Sequence, residues 1–227
     1  MSKIRIDFLS TLPDCFSSVL NTGILRIAQE KNLIDFHIHN LHDYSDNKFG
    51  HIDDTPYGGG AGMLIKCQPV FDCINKLKNE RDYDEIIYVT PEGKLFDQNM
   101  ANELSLMKSI IILSGRYKGI DQRIRDSLIT REISIGDYVL SGGELPSLVI
   151  ADAIARLIPG ALGDSESALT DSHMDGLLEP PQYTRPAIYN GMEVPKVLTS
   201  GKHKLITEWK EKKSREKTNK LRPDMLK

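Results

Sequence analysis

The stretch SIIILSGRYKGID, residues 109–121, joins a continuous apolar run to a loop that carries two glycines. An unbroken apolar run of this length is typical of a strand buried on both faces, as the strands of parallel sheets are. Open parallel sheets bind their ligands beyond the carboxyl ends of the strands, where such a loop would lie. The stretch therefore predicts a buried parallel strand over 109–113, followed at once by a candidate ligand loop.

Two further segments repeat this arrangement of a strand and a loop of small residues. The run EIIYV at 85–89 precedes TPEG at 90–93, and a short strand at 132–135 leads into SIGDYVLSGGELP at 134–146. Glycine lets the backbone approach a ligand closely and adopt positive φ. We therefore expect three loops to meet at one edge of the sheet, although three tight turns without a ligand would have the same composition.

The rest of the pattern alternates between strands and helices. It predicts strands at 3–9 and 33–39, an amphipathic helix at 16–30, a helix at 70–77 and a strongly apolar helix at 145–158. Such alternation is typical of an α/β domain with a mostly parallel sheet.

A change of composition divides the chain. The segment 161–183 is acidic, contains Ser, Asp and Gly, and ends soon after a Pro-Pro pair, which is typical of a linker. Residues 200–218 have helical composition. We therefore predict an α/β domain over 1–160, a flexible linker over 161–183 and a small helical domain over 184–227.

The overall composition is that of a soluble globular protein, with 40% hydrophobic and 27% charged residues. No apolar run approaches the roughly 20 residues that a membrane span needs, and the first residues lack the pattern of a signal peptide. A cytoplasmic protein without a membrane partner is expected. Cys15, Cys67 and Cys73 have no CxxC spacing, which predicts reduced thiols rather than a disulfide or zinc site.

Charge is distributed unevenly along the chain. The net charge is −3, yet residues 201–227 hold ten Lys or Arg and four Asp or Glu, so this tail is +6 and the remainder is −9. A basic tail on an acidic body indicates phosphate binding. On charge alone, a solvated helix face and a non-catalytic RNA-binding module both remain open.

The histidines suggest a different class of function. His37 and His39 would share one face of a strand, and with His42 and His51 they resemble the HxH clusters of metal-dependent hydrolases. Polar strand residues that face solvent would give the same pattern, because HxH is a weak signal.

A resemblance to one family runs through the whole chain. The segments that carry it are similar to those of the tRNA (guanine-N1)-methyltransferases, and they are DDTPYGGGAGM (53–63), GRYKGID (115–121), SIGDYVLSGGELP (134–146), IPGALG (158–163), DSHMDGLLE (171–179), YTRPA (183–187), GMEVPKVLTSG (191–201) and RPD (222–224). The resemblance implies a SPOUT-type fold, whose α/β domain with a mostly parallel sheet ties a deep trefoil knot, and a homodimer with composite sites.

The resemblance also implies a ligand and its binding residues. S-adenosyl-L-methionine would be the methyl donor and tRNA the acceptor, methylated at N1 of guanosine 37, next to the anticodon. The residues expected to bind the donor are Tyr88, Val89, Thr90, Pro91, Gly93, Gly115, Tyr117, Ile135, Gly136, Tyr138, Leu140, Gly142 and Gly143.

Two further residues are implied as catalytic. Guanine N1 carries a proton in the neutral base, so methylation there needs a group that accepts this proton. By the resemblance, Asp171 is this base and Arg156 stabilises the charge that develops on O6.

The sequence departs from the family pattern at three places. Lys118 stands where relatives usually carry Glu, Gln182 stands where many have His, and the chain stops soon after Met225. The family is associated with magnesium, and an ammonium cannot ligate a metal ion. No metal ligand is therefore predicted, and a magnesium requirement is in doubt for this chain.

Overall fold

A computed structural model describes residues 3–162, 172 and 176–226. Its centre is a five-stranded parallel sheet built from β1 (Ile4–Ser10), β2 (Ile34–Asn40), β5 (Glu85–Leu95), β6 (Ser109–Ser114) and β7 (Arg131–Ser134). The strand order is β2-β1-β6-β5-β7. The predicted α/β class with a mostly parallel sheet is confirmed, and the knot stays a prediction. A separate antiparallel pair joins β3 (Asp53–Asp54) to β4 (Leu64–Ile65).

Helices cover both faces of the sheet. One apolar cluster packs the sheet against α1 (Asp14–Leu20), α2 (Gly23–Glu30), α4 (Gln98–Ser105) and α6 (Glu144–Leu157). The other packs it against α3 (Cys67–Glu80), α5 (Gln122–Ser127) and a 3-10 helix (Leu41–Tyr44). Every residue of β6 is buried, as its unbroken apolar run predicted.

The prediction of one helix over 16–30 is wrong, because the chain turns between α1 and α2. Asn21 and Thr22 lie between the two helices, and Gly23, the first residue of α2, has φ +53°, so one continuous helix could not run through it. The sequence pattern also failed to predict α4 and α5, which are short. Each begins at an aspartate cap: the Asp97 carboxylate accepts from Met100 N, and Asp121 accepts from Arg123 N.

Strand β5 extends beyond the predicted residues 85–89. Its pairing with β7 shifts in register between Val89 and Lys94, so the intervening residues bulge out of the sheet. At Gly93 the backbone of β5 passes so close to the backbone of β7 that a Cβ would lie 2.5 Å from Ile133 N, so only glycine fits there. Cys15, Cys67 and Cys73 are all free thiols, as predicted.

The chain forms two compact units, Met1–Gly163 and Asp164–Lys227. The second contains a hairpin of β8 (Ile188–Tyr189) and β9 (Met192–Glu193), then α7 (His203–Leu221) and a 3-10 helix (Pro223–Leu226). Most of the predicted linker lies outside the described residues. Among the described residues, no helix is long and apolar enough to span a membrane.

Helix α7 anchors the described part of the second unit through its buried hydroxyl residues. Leu178 N donates to Thr218 Oγ1 at 2.9 Å, and Ser214 Oγ donates to the Leu178 carbonyl. Trp209 packs near Tyr183, with ring centroids 6.5 Å apart.

Candidate methyl-donor site

A pocket of about 360 Å³ opens beyond the carboxyl ends of β6 and β7 and beside the bulge in β5. Three segments line it, here named loop A (90–93), loop B (115–120) and loop C (135–143), together with the start of α6. These are the small-residue segments that the sequence predicted would meet at one edge of the sheet, although loop A is a bulge within β5 and not a loop beyond its end. The shared edge follows from the parallel sheet, because all three strands run in one direction.

The structure brings twelve of the thirteen residues predicted to bind the donor into this lining. They are Tyr88, Val89, Thr90, Pro91, Gly115, Tyr117, Ile135, Gly136, Tyr138, Leu140, Gly142 and Gly143. Gly93 is outside the lining and packs against the backbone of β7 instead. Their role in binding a ligand stays a prediction.

Loops B and C are held against each other by their backbones. Gly143 N donates to the Gly115 carbonyl at 2.8 Å, and Arg116 pairs with Gly142 in an isolated antiparallel bridge. A Cβ on Gly143 would lie 2.6 Å from Val89 Cγ2 and 2.8 Å from Gly115 N. Glycine at 143 is therefore required by the contact between these loops, whatever the pocket binds.

A buried carboxylate supports the same contact from below. Glu144 is only 4% exposed and lies in the first turn of α6, where the helix dipole stabilises negative charge. Ser10 Oγ donates to Glu144 Oε1 at 2.7 Å, and Arg116 Nε lies 3.5 Å from the same oxygen. The ion pair with Glu144 offsets the charge of Arg116, which lines the pocket.

A second charge group borders the pocket near loop A. Arg125 donates to Glu132 through two nitrogens, at 2.7 and 2.6 Å, and to Glu92 at 2.8 Å. The Arg125 guanidinium also lies 5.7 Å from the centre of the Tyr88 ring. Burial raises the pKa of the Tyr88 hydroxyl. Sequence reasoning missed Arg125 because α5 gave no clear periodicity.

Loop B is also tied to the glycine-rich segment 53–63. Lys118 N donates to the Met63 carbonyl at 3.0 Å, and Ile65 N donates to the Gly119 carbonyl at 3.1 Å. The stem of Lys118 lies over Gly62, where a Cβ would be 2.6 Å from Lys118 Cγ. The motif at 53–63, which follows no strand, thus supports one wall of the pocket.

His37 and His39 of β2 and the nearby His42 do not form a metal site with any described residue. His39 Nε2 lies 2.7 Å from Asp7 Oδ1, His37 Nε2 lies 3.2 Å from Asp35, and His42 Nδ1 lies 2.7 Å from the Gly50 carbonyl. Each ring therefore faces a different partner. Among the described residues, no group of three His, Cys, Asp or Glu side chains could hold a metal ion. The structure does not support the hydrolase hypothesis.

Asp7 is the centre of what we call the Asp7 cluster, which consists of Asp7, Arg5, His39 and Tyr83. Arg5 donates to both Asp7 oxygens at 2.7 and 2.8 Å, and Tyr83 donates to Oδ2 at 2.9 Å. Burial raises the pKa of Asp7, but hydrogen bonds from His39, Arg5 and Tyr83 outweigh it and bring the pKa down to about 2.

The two predicted catalytic residues lie away from this pocket or outside the described residues. Arg156 is exposed in the last turn of α6 and does not line the pocket. Asp171 lies outside the described residues. The structure therefore brings the donor-loop residues together, and Arg156 is not among the residues that line their pocket.

Comparison with known proteins agrees with the motifs. The family model for tRNA (guanine-1)-methyltransferase TrmD matches residues 4–227. Proteins named tRNA (guanine-N(1)-)-methyltransferase from Chlorobaculum tepidum and Bacteroides fragilis are each 55% identical to this chain. They align over 98% of it and over 97% and 99% of their own lengths, respectively. The relative of that name from Flavobacterium psychrophilum is also 55% identical, over 98% of this chain and 99% of its own length. Since the match spans nearly the whole chain, this protein belongs to the tRNA (guanine-1)-methyltransferase family.

Proposed function

We propose that this protein transfers a methyl group from S-adenosyl-L-methionine to N1 of guanosine 37 in tRNA, next to the anticodon, in the cytoplasm. The observation that carries the proposal is the near full-length family match, together with a pocket lined by the matching glycine-rich motifs.

The pocket suits the methyl donor in size and character. Its volume of about 360 Å³ lies within the range of small-molecule sites. Apolar side chains of Ile135, Leu140 and Pro146 offer a surface for the adenine ring, and the glycines expose backbone groups for its polar edge. The donor's sulfonium supplies an activated methyl group. The protein's contribution is to hold that methyl group in line with N1.

Proton removal from guanine N1 is assigned to Asp171. A carboxylate can accept the proton, and the negative charge left on the base spreads to O6, where the Arg156 guanidinium would stabilise it. An unperturbed Asp has a pKa of about 3.9 and is a weak base. A site shielded from water by the bound tRNA would raise that pKa and strengthen the base.

The position of Arg156 supports a composite site in a homodimer. Arg156 follows Pro146, which lines the pocket, by ten positions on α6, or about 15 Å along the helix axis. That is farther than an arginine side chain reaches, so an Arg156 acting at the donor would come from a second copy. Leu145 and Val149 form an apolar stripe on α6 that is 60% and 47% exposed, and a partner could cover it.

The pocket offers magnesium no suitable set of ligands among the described residues. Glu92 and Glu144 are each paired with an arginine, and Lys118 presents an ammonium instead of a carboxylate. No step of the proposed reaction is therefore assigned to a metal ion.

The test of the proposed function is methyl transfer to an unmodified tRNA transcript, with the product nucleoside identified by mass spectrometry. N1-methylguanosine should form with guanosine at position 37 and not with adenosine there. The Asp171→Asn variant keeps the shape of the base but cannot accept a proton, so turnover should fall by at least about 10²-fold. Its donor affinity should be unchanged. Tight tRNA binding without any methyl transfer would favour the non-catalytic RNA-binding alternative, and near-normal turnover by Asp171→Asn would remove Asp171 from the mechanism.

The composite site is tested by mixing two inactive variants. Asp171→Ala removes the catalytic base and Gly143→Trp blocks the donor pocket. A heterodimer of the two variants would therefore contain one site with an intact donor pocket from one subunit and an intact Asp171 from the other. Activity should reappear after subunit exchange, which differently tagged chains can verify. Proven heterodimers that stay inactive would place donor and base in one chain.

A further inference from the structure

The charged side chains in the pocket lining differ in how far they are neutralised. Arg116 lies beside Glu144, and Arg125 is held between Glu92 and Glu132. Lys118 is the remaining cation of the lining, and it forms no ion pair with any residue that the structure describes. Its charge is therefore available to a ligand.

The backbone and stem of Lys118 are fixed even though its ammonium has no partner among the described residues. Lys118 N donates to the Met63 carbonyl at 3.0 Å, and Gly119 N donates to the Arg116 carbonyl at 2.9 Å. The stem lies against Gly62, the residue at which a Cβ would collide with Lys118 Cγ. Because this packing already restricts the side chain, less conformational entropy is lost when the ammonium binds an anion.

The proposed methyl donor has charges that match this arrangement. Its methionine end carries an ammonium and a carboxylate, and its sulfur is a cation. The group formed by Glu92, Arg125 and Glu132 has two carboxylates and one guanidinium, so it attracts the donor's positive end. Lys118 would repel that end and attract the carboxylate.

We propose that Lys118 binds the carboxylate of the methionine end of S-adenosyl-L-methionine and so makes this pocket select donors that carry it. The inference rests on the proposed function and adds the residue that recognises one end of the substrate. Lys118 replaces here the glutamate that the family resemblance leads one to expect, so it reverses the charge on this wall of the pocket.

Binding of three compounds, measured by calorimetry at low salt, tests this assignment. They are S-adenosyl-L-methionine, its decarboxylated form, and 5′-methylthioadenosine, which lacks both the ammonium and the carboxylate. The unaltered protein should bind S-adenosyl-L-methionine about fivefold more tightly than the decarboxylated form, a modest ratio because Lys118 is exposed to solvent. Lys118→Gln should abolish that preference, and Lys118→Glu should reverse it.

Two controls separate recognition from damage to the pocket. Affinity for 5′-methylthioadenosine should be the same in all variants, because it has no carboxylate to lose. Lys108→Gln removes an exposed lysine that precedes β6, at the end of the strand opposite loop B, and should keep the fivefold preference.

The possible results are distinguishable. A preference for the carboxylate that survives Lys118→Gln would overturn the assignment and leave the donor pocket intact. Failure of all three compounds to bind the unaltered protein would overturn the donor pocket itself. If Lys118→Gln left the preference intact but lowered the salt dependence of tRNA binding, Lys118 would contact a tRNA phosphate instead.

Discussion

Two regions on the same parallel sheet contain several charged residues. One is the pocket that loops A, B and C form, and the other is the Asp7 cluster. In the Asp7 cluster, the buried carboxylate accepts hydrogen bonds from three side chains, which fill its capacity. In the pocket, backbone groups of glycine loops surround an open volume, and the Lys118 ammonium has no described partner. Polar groups that satisfy one another stabilise a fold, whereas polar groups left around a cavity are available to a ligand. The sequence suggested a metal site at His37 and His39, but each of these histidines lies next to a carboxylate, so they belong with the polar groups that stabilise the fold.

The largest effect expected from this contrast is on stability, at Asp7. Asp7→Asn removes the charge that Arg5 faces and turns an amide donor toward other donors, which should lower the free energy of unfolding by about 3 kcal/mol. Urea unfolding at neutral pH measures this decrease. Asp35→Asn is a matched control on the neighbouring strand, where the carboxylate is 43% exposed and the decrease should stay under about 1 kcal/mol.

Acid should reproduce part of the same destabilisation in the unaltered protein. The pKa of Asp7 is about 2 in the folded state, below the ordinary value of 3.8. Its contribution to stability is therefore fully present above pH 3.8 and disappears as the pH falls toward 2. It amounts to about 2 kcal/mol, and Asp7→Asn should lack this part of the pH dependence. Equal acid sensitivity in both proteins would mean that Asp7 is not the stabilising carboxylate.

The second-largest effect expected is a loss of affinity for the methyl donor when Gly143 is replaced. Gly143→Ala places a Cβ against Val89 and the backbone of loop B, so loops B and C must separate. We expect the affinity for S-adenosyl-L-methionine to fall at least about tenfold, on the scale that displaced binding groups cost. Asp7→Asn serves as the control, because it should destabilise the fold and leave donor affinity within about twofold. If both variants weakened donor binding equally, the two regions would not be independent.

The smallest expected effect concerns tRNA binding by α7. Lys210 and Arg215 are exposed on this helix, whereas Lys213 pairs with Glu216 at 2.6 Å. Replacing Lys210 and Arg215 with Ala should lower the slope of log affinity against log salt by a little under one unit for each tRNA phosphate that the helix no longer neutralises. Donor affinity should not change.

Two lysines of the first unit provide the control for the tail. Lys78 and Lys108 are also exposed, and the same double replacement there should leave the salt slope unaltered. An unchanged slope in the α7 variant, with α7 still folded, would assign tRNA binding to another surface.

Much of the parallel sheet was predictable, because continuous apolar runs such as 109–113 have few alternatives once both of their faces are buried. The turn between α1 and α2 was not predictable, because the apolar pattern of residues 16–30 continues through it. The meeting of loops A, B and C followed from strand direction alone. The contact between loop B and segment 53–63 could not be predicted from strand direction, because it depends on backbone hydrogen bonds between residues that are distant in sequence. The partners of His37 and His39 were also unpredictable, since strand periodicity gives a shared face but not the residue opposite each ring.

Hydrogen–deuterium exchange, measured with and without S-adenosyl-L-methionine, can locate the donor on the protein. We predict that the donor protects backbone amides of residues 88–93, 115–120 and 135–143, and leaves exchange in β1 and β2 unchanged. Protection centred on residues 34–51, or none at all at saturating donor, would contradict the assignment of the glycine-loop pocket as the methyl-donor site.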